Sequence, residues 1–324
     1  MSMDVHYSIV NRREFFGTVG ALTLSAADAQ PASIPIIDCH IHLFDQRRPQ
    51  GAPYSAAPGN KEPAFPDRYS RLAVPLGVVG AIEVEASPWI EDNLWVLEVE
   101  KSNKIMVGTI GNLQPEKPEF KEYLERYRKN KLFLGIRYGN LWGYSLVDQI
   151  SNPAFISGLK LLQQADLTLD SANPKPDLIE ALVRVSDKVP GLRIVVDHLP
   201  ALLDHMNAKE RTALEVHLTE LAKRPQVYFK ISELLRLVDG RPITDPGVYK
   251  PTLDYFFQSF GPDRLLFGSD WPNAAALGNL PAIVTIAKDY FRAKGPTAEE
   301  KFFWKNSQKA YRWAKRSEDQ PSPS

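Results

Sequence analysis

Two histidines separated by one residue, His40 and His42, close an apolar run that reads Ile-Pro-Ile-Ile-Asp-Cys-His-Ile-His-Leu-Phe from Ile34 to Phe44. β-Branched residues suit an extended backbone, and strand side chains alternate between two faces. Alternation turns His40 and His42 the same way, puts Asp38 one step deeper on that face, and sends Cys39 and Ile41 to the other. Two imidazoles stacked at a strand end can grip one divalent ion. The pair alone reads better as a hydrogen-bonded structural pair, so its meaning depends on what the rest of the chain brings beside it.

Other apolar runs also end in polar residues. Gly77 to Ala86 ends near Glu85, Leu132 to Tyr138 near Arg137, and Leu167 to Ser171 near Asp170. Leu192 to His198 ends in its histidine, Gln226 to Ser232 carries Lys230 and Ser232, and Arg264 to Asp270 ends in its aspartate. With Lys104 to Leu113 these make eight strand-like segments. Helical patterns separate most of them: Glu91 to Asn103, Glu116 to Lys129, Pro153 to Ala165, Pro176 to Lys188, Asn207 to Lys223 and Pro246 to Phe260. Two more, Pro281 to Lys294 and Thr297 to Lys315, follow the last strand. Eight such units with near-continuous apolar strands predict an α/β fold, a closed (β/α)8 TIM-type barrel. An open doubly wound sheet would want a glycine-rich turn after the first strand, where this chain has His-Ile-His. Chemistry in a barrel gathers at the C-terminal strand ends. There His40, His42, His198 and Asp270, from three strands, form a divalent-metal site.

The chain has 324 residues, 44% hydrophobic and 24% charged, which suits one barrel of this type. Lys+Arg and Asp+Glu are equal at 39 each, so no net charge selects a nucleic acid or an anionic membrane. A small-molecule substrate is the expected partner, and a homo-oligomer is left open. The single cysteine excludes an internal disulfide framework. Asn11-Arg12-Arg13-Glu14-Phe15-Phe16 resembles the twin-arginine export pattern, followed by an apolar run and a small-x-small site at Ala27-Asp28-Ala29. The expected layout is a signal segment over 1–29, a barrel over 30–316 and a disordered tail over 317–324. Export to the periplasm follows, the alternative being a cytoplasmic protein with an amphipathic N-terminal helix. Asp45 to Pro75, too long for an ordinary loop, reads as a lid, and with Gly139 to Ile150 it would set specificity.

Asp38-x-His40-x-His42, Val195-Val196-Asp197-His198 and Phe267-Gly268-Ser269-Asp270-Trp271-Pro272 resemble the signatures of the amidohydrolase superfamily. More narrowly they are similar to its amidohydrolase-related (amidohydrolase 2) branch, which holds sugar lactonases of the fuconolactonase and rhamnonolactonase type and the pyrone-dicarboxylate lactonase. Glu83-Val84-Glu85-Ala86, Gly135-Ile136-Arg137 and Phe229-Lys230-Ile231-Ser232 fall in that branch's order. The resemblance runs from Ile34 to about Trp313. It implies the same barrel and a hydrolase that opens a lactone or related ester. It also implies one divalent ion per chain, zinc first, although the branch includes members that work without metal. Decarboxylating relatives carry a further histidine before the final aspartate; Lys230 and Ser232 stand on that strand here.

On this reading His40, His42 and His198 hold the ion, and Asp270, itself a ligand, acts as general base and then acid. Glu85 is a candidate fourth ligand, with a structural carboxylate as the alternative. Arg137 binds a carboxylate or polarises a carbonyl, or else forms a buried ion pair with Asp170 or Glu83. Tyr138, Trp142 and Trp271 line an apolar wall, while Asp170, Lys230 and Asn273 touch substrate. Cys39 is a small buried hydrophobe. Asp197 faces away from His198 and makes a structural hydrogen bond. Asp38 orients the histidines, and His205 and His217 face solvent. The competing readings are a metal-dependent decarboxylase or hydratase of an aromatic acid, a metal-free lactonase, and a barrel that binds without catalysis.

Overall fold

Eight strands pair in parallel in chain order: β1 (Ile36–Ile41), β2 (Val78–Val84), β3 (Met106–Gly111), β4 (Phe133–Arg137), β5 (Thr168–Ser171), β6 (Ile194–Val196), β7 (Val227–Ile231) and β10 (Leu265–Phe267). The computed structural model describes residues 34–54, 62–172, 174–200, 206–273 and 280–322, so the expected signal segment and His205 lie outside the described residues. Beyond β10 the sheet closes on β1. The His42 amide donates to the Trp271 carbonyl and the Asp270 amide to the His40 carbonyl, each at 2.8 Å. The barrel predicted from the sequence is therefore present, and its closing seam runs through the residues of interest.

Helices cover the outside: α1 (Pro66–Ala73), α2 (Asp92–Lys101), α3 (Phe120–Tyr127), α4 (Leu146–Gln149), α5 (Pro153–Gln164), α6 (Pro176–Lys188), α7 (Ala208–Ala222), α8 (Pro246–Phe260), α9 (Leu280–Ala293) and α10 (Pro296–Glu300), while α11 (Asn306–Tyr311) packs Ala310 and Tyr311 into the inner cluster. Four begin with the same local device: Ser145, Asn152, Asn207 and Asp245 cap α4, α5, α7 and α8 by accepting a backbone N–H from the first turn. The long segment before β2 is more ordered than a bare lid, since α1 occupies its second half. A two-stranded hairpin, β8 (Leu237–Val238) with β9 (Arg241–Pro242), follows β7 and has no counterpart in the sequence reading.

Apolar side chains divide into two clusters. On β6, Ile194 and Val196 pack outward with the helices, whereas Val195 packs with Ile37, Ile82, Val84 and Leu266 inside the barrel. Cys39 belongs to this inner group, which corrects the expected alternation. The β1–β2 register shifts between Asp38 and Ile41, where three steps on β1 match two on β2. An extra residue in a strand resets the facing of everything after it. Cys39 and the histidines therefore both look inward, while Asp38 turns to the seam. The inner cluster also takes in Trp304, Tyr311 and Trp313 from the C-terminal segment.

The described part of the tail, to residue 322, packs onto the barrel. Arg316 donates to the carbonyls of Glu100, Lys101, Asn103 and Met106, and Gln320, 1% exposed, donates to those of Val79 and Lys104. A guanidinium on the open carbonyls at the end of α2 satisfies groups that no helical turn can reach.

Candidate active site

At the C-terminal mouth of the barrel His40, His42 and Asp270 converge. One ligand atom from each lies within 4.8 Å of the other two, and all three residues are buried. His42 Nε2 is 3.2 Å and His40 Nε2 3.7 Å from Asp270 Oδ1. Asp38 holds the frame rather than the imidazoles: its Oδ1 accepts from the amides of His40 (3.1 Å) and Ser269 (2.8 Å), and its Oδ2 from Tyr69 (2.6 Å). One carboxylate thus pins the ends of β1 and β10 together. Gly268 permits the approach, because a Cβ there would sit 2.8 Å from that of His40.

The donor set fits a divalent ion. His42 Nδ1 lies 2.7 Å from the Val84 carbonyl, which can only accept, so the ring proton sits on Nδ1 and Nε2 keeps its lone pair. That lone pair faces a carboxylate oxygen, and two acceptors at 3.2 Å call for a proton or a cation between them. His40 Nε2 is buried without a hydrogen-bond partner. Burial, then Lys230 and His42, hold the His40 pKa well below its ordinary value, so the ring is neutral as a ligand must be. Burial would raise the Asp270 carboxyl, but a proton shared with His42 and the positive charge it brings outweigh that and pull it down.

His198 is close but is not a member of this triad. Its ring centroid is 4.4 Å from that of His40, and its Nδ1 is 3.0 Å from Ser232 Oγ. A left-handed backbone (φ 67°) turns it off the end of β6. Burial above all lowers its pKa to about 3, leaving it neutral. The expected fourth ligand, Glu85, is committed elsewhere. It accepts from Arg137 Nε at 2.8 Å, Trp142 Nε1 at 2.8 Å and the Ser87 amide at 3.1 Å. Arg137 also donates to the Glu85 carbonyl at 2.7 Å and sits 3.8 Å from Asp197. The buried ion pair is therefore the reading the structure supports for Arg137, with Glu85 and Asp197 in place of the expected Asp170 or Glu83.

Below the histidines lies a second charged layer. Lys230, fully buried, contacts Asp170 at 2.7 Å and Asp197 at 2.9 Å, and Tyr311 donates to Asp170 at 2.7 Å. Burial would lower the Lys230 pKa, but the two aspartates outweigh it and raise it, so the amine is charged. Lys230 and Asp170 lie in the barrel interior, one layer beneath any substrate, which corrects their assignment as substrate contacts. Asp197 does not turn away either. It points to the barrel axis, where its Oδ1 lies 3.6 Å from His40 Nδ1.

Two of the three aromatic wall residues are elsewhere. Tyr138 packs outside the barrel, 4.9 Å from Phe155 and 5.6 Å from Tyr144. Trp271 is wholly buried against Tyr69. Trp142 does stand at the mouth, 6.4 Å from Tyr54. Asn273, expected to touch substrate, donates to Asp270 Oδ1 at 3.2 Å and to Tyr54. Tyr54, 4.9 Å from His42, was not singled out from the sequence; only its place in the long first loop could have suggested it. Glu233, in a left-handed turn (φ 49°) with its Oε1 3.8 Å from His198, was likewise missed. His217 is a part-exposed helix residue 3.9 Å from Glu180.

The sequence profile of the Amidohydrolase family matches residues 37–313. An L-fucono-1,5-lactonase from Burkholderia ambifaria is 26% identical over 289 residues, covering 88% of this chain and 98% of that protein. Among solved structures, an amidohydrolase from Burkholderia multivorans with bound zinc superposes with a TM-score of 0.75 at 19% identity, over 86% of this chain and 100% of that one. A 5-carboxyvanillate decarboxylase from Novosphingobium aromaticivorans, complexed with manganese, superposes with a TM-score of 0.62 at 15% identity, over 86% and 96%. The structural likenesses establish the barrel. The profile, spanning most of the chain over a convergent His-His-Asp site, establishes that the protein belongs to the amidohydrolase family and is a hydrolase.

Proposed function

We propose that the protein hydrolyses a lactone, with Asp270 as the group that moves protons. The observation that carries this reading is the arrangement of His40, His42 and Asp270, whose facing lone pairs call for a cation while Asp270 stays ionised. The lactonase relative, similar over nearly its whole length, supports it. A divalent ion held by His40, His42 and Asp270 would supply Lewis-acid polarisation of the carbonyl and a more acidic water. Asp270 takes a proton from water as the water oxygen bonds to the carbonyl carbon. The ring C–O bond then breaks, and Asp270 returns the proton to the departing ring oxygen, giving an open-chain hydroxy acid. Asn273, itself bonded to Tyr54, donates to the carboxylate and holds it in place. His198, neutral and beside His40, is placed to hydrogen-bond substrate.

One contact favours a metal-independent form of the same reaction. Lys230 Nζ lies 3.5 Å from His40 Nδ1, and an ammonium has only protons to offer. A ring accepting through Nδ1 carries its own proton on Nε2, where it donates to the substrate carbonyl. Metal analysis of the purified protein with a pH-indicator assay over sugar and aromatic lactones decides between the two. We expect about one divalent ion per chain, activity lost on chelation and restored by metal, and a fall of at least about a thousandfold in kcat for Asp270→Asn. Full activity in that variant would sink the mechanism. We further propose that residues 1–29 direct export; recovery of the protein from the cytoplasm and not the periplasm on fractionation would contradict it.

A further inference from the structure

His40 meets the layer beneath it through Nδ1, and two opposed groups lie there at almost equal range. Lys230 Nζ is 3.5 Å away and has only protons to give, whereas Asp197 Oδ1 is 3.6 Å away and accepts them. A neutral imidazole carries one ring proton. If Nδ1 takes a hydrogen bond from Lys230, that proton sits on Nε2 and blocks the nitrogen that faces Asp270. If Nδ1 donates to Asp197, Nε2 keeps the lone pair that an ion needs. The position of the Lys230 ammonium therefore weighs one tautomer of His40 against the other. Three acceptors share its three protons: Asp170 Oδ2 at 2.7 Å, Asp197 Oδ1 at 2.9 Å and His40 Nδ1. Tyr311 donates to the same Asp170 Oδ2 at 2.7 Å, and its ring lies 5.4 Å from Nζ. A carboxylate oxygen that already holds a phenol proton pulls less strongly on the ammonium beside it.

We propose that Tyr311 is a positioning residue, which acts from the C-terminal helix through Asp170 and Lys230 to set which nitrogen of His40 carries the proton, and so how tightly the triad takes a divalent ion. The proposal rests on the reading of His40 as a ligand and goes past it in naming what tunes that ligand. The change is a tautomer shift, so the number of protons on the ring stays the same. The phenol is held firmly enough for the task. Asn306 donates to the carbonyls of Pro262 (2.8 Å) and Leu265 (2.9 Å) at the start of α11, and Arg193 donates to the Ala310 carbonyl at 2.6 Å near its end. Burial above all, with Asp170 and Asp197 beside it, raises the Tyr311 pKa well above its ordinary value, so the hydroxyl keeps its proton and stays a donor. Groups that orient a ligating histidine from behind govern metal affinity without touching the ion.

Tyr311→Phe in the full chain removes one buried hydroxyl and no charge. Asp170 Oδ2 then draws Lys230 closer, His40 Nδ1 turns to Asp197, and two readouts should move. In the metal-free protein the nitrogen NMR shifts of the His40 ring, assigned by difference with His40→Gln, should show the proton passing from Nε2 toward Nδ1. The zinc Kd, from competition with a chelating dye, should tighten about three- to tenfold. Asp170→Asn releases Lys230 toward His40 and should move both readouts the opposite way; it carries the test if Tyr311→Phe does not fold. A residue that only stabilised the barrel would loosen zinc binding in both variants, or leave it unchanged, with the ring proton where it was. Ring shifts unchanged in both variants overturn the assignment of Tyr311, even where zinc binds. A wild-type His40 already protonated wholly on Nδ1 overturns it as well. Ring shifts that move as expected in a protein that binds no zinc support the assignment and overturn instead the reading of the triad as a metal site.

Discussion

Two charged layers lie one above the other in this barrel, and they are wired differently. In the lower layer Lys230 contacts Asp170 and Asp197, and Tyr311 caps Asp170, so both carboxylates face a cation, although neither Asp197 oxygen takes a well-directed hydrogen bond. In the upper layer His40 Nε2 has no hydrogen-bond partner, and His42 Nε2 faces a carboxylate lone pair to lone pair. Burial is similar in the two, so polarity in a core does not by itself separate structure from chemistry. A buried network whose charges are paired stabilises and positions, whereas one with unpaired basic nitrogens is poised to take a ligand.

Breaking the lower layer should cost stability first. Lys230→Met leaves two buried aspartates without their cation and should destabilise by about 3–5 kcal/mol in chemical denaturation. Adding Asp197→Asn should recover part of that loss. A cost under about 1 kcal/mol would mean that the two layers are not different in kind. Asp270→Asn, in the upper layer, should do the reverse, with activity lost and the denaturation midpoint little changed.

A smaller effect sits between the layers and the seam. Gly268→Ala brings a methyl to 2.8 Å from the His40 Cβ and 3.1 Å from that of Ser232. Overpacking of this sort costs about 1–3 kcal/mol. Because the displaced group is His40, metal content should fall along with stability; a change in stability alone would place the clash away from the triad.

A pH-dependent effect, small at about pH 5, involves a buried carboxyl in neither layer. Glu83 accepts from Thr109 through one oxygen, while the other has no partner. Burial, assisted by Glu85 and opposed by Thr109 and Arg137, raises its pKa from 4.5 to about 8. A carboxyl that holds its proton more tightly when folded adds stability that is full below 4.5 and is lost as pH rises through about 8. Glu83→Gln cannot lose a proton, so its melting temperature should gain on the wild type between about pH 5 and pH 9, with a slope of at most about 1.4 kcal/mol per pH unit. A gap that stays flat over that range would show that Glu83 has found a cation, as Asp170 has.

How much of this was legible beforehand depends on distance along the chain. Local pattern carried the eight strands, most of the helices and the polar strand ends, because apolar runs and capping residues act within a few positions. It carried His40, His42 and Asp270 for the same reason. Tyr311, in contrast, reaches Asp170 from 141 positions away, and no spacing rule forecasts a C-terminal helix plugging a barrel.

The sequence by itself determined the barrel, the position of the chemistry at its mouth, and the identity of three residues that meet there. Tertiary structure decided the rest. A shifted register in β1 put Cys39 and the histidines on the same interior, against simple alternation. Pairing drew Glu85 and Arg137 to each other and removed both from the roles of ligand and substrate clamp. Left-handed turns aimed His198 and Glu233 at each other. In each case the residue type limits what a side chain can do, while its partner, set by packing across the barrel, selects which of those things it does.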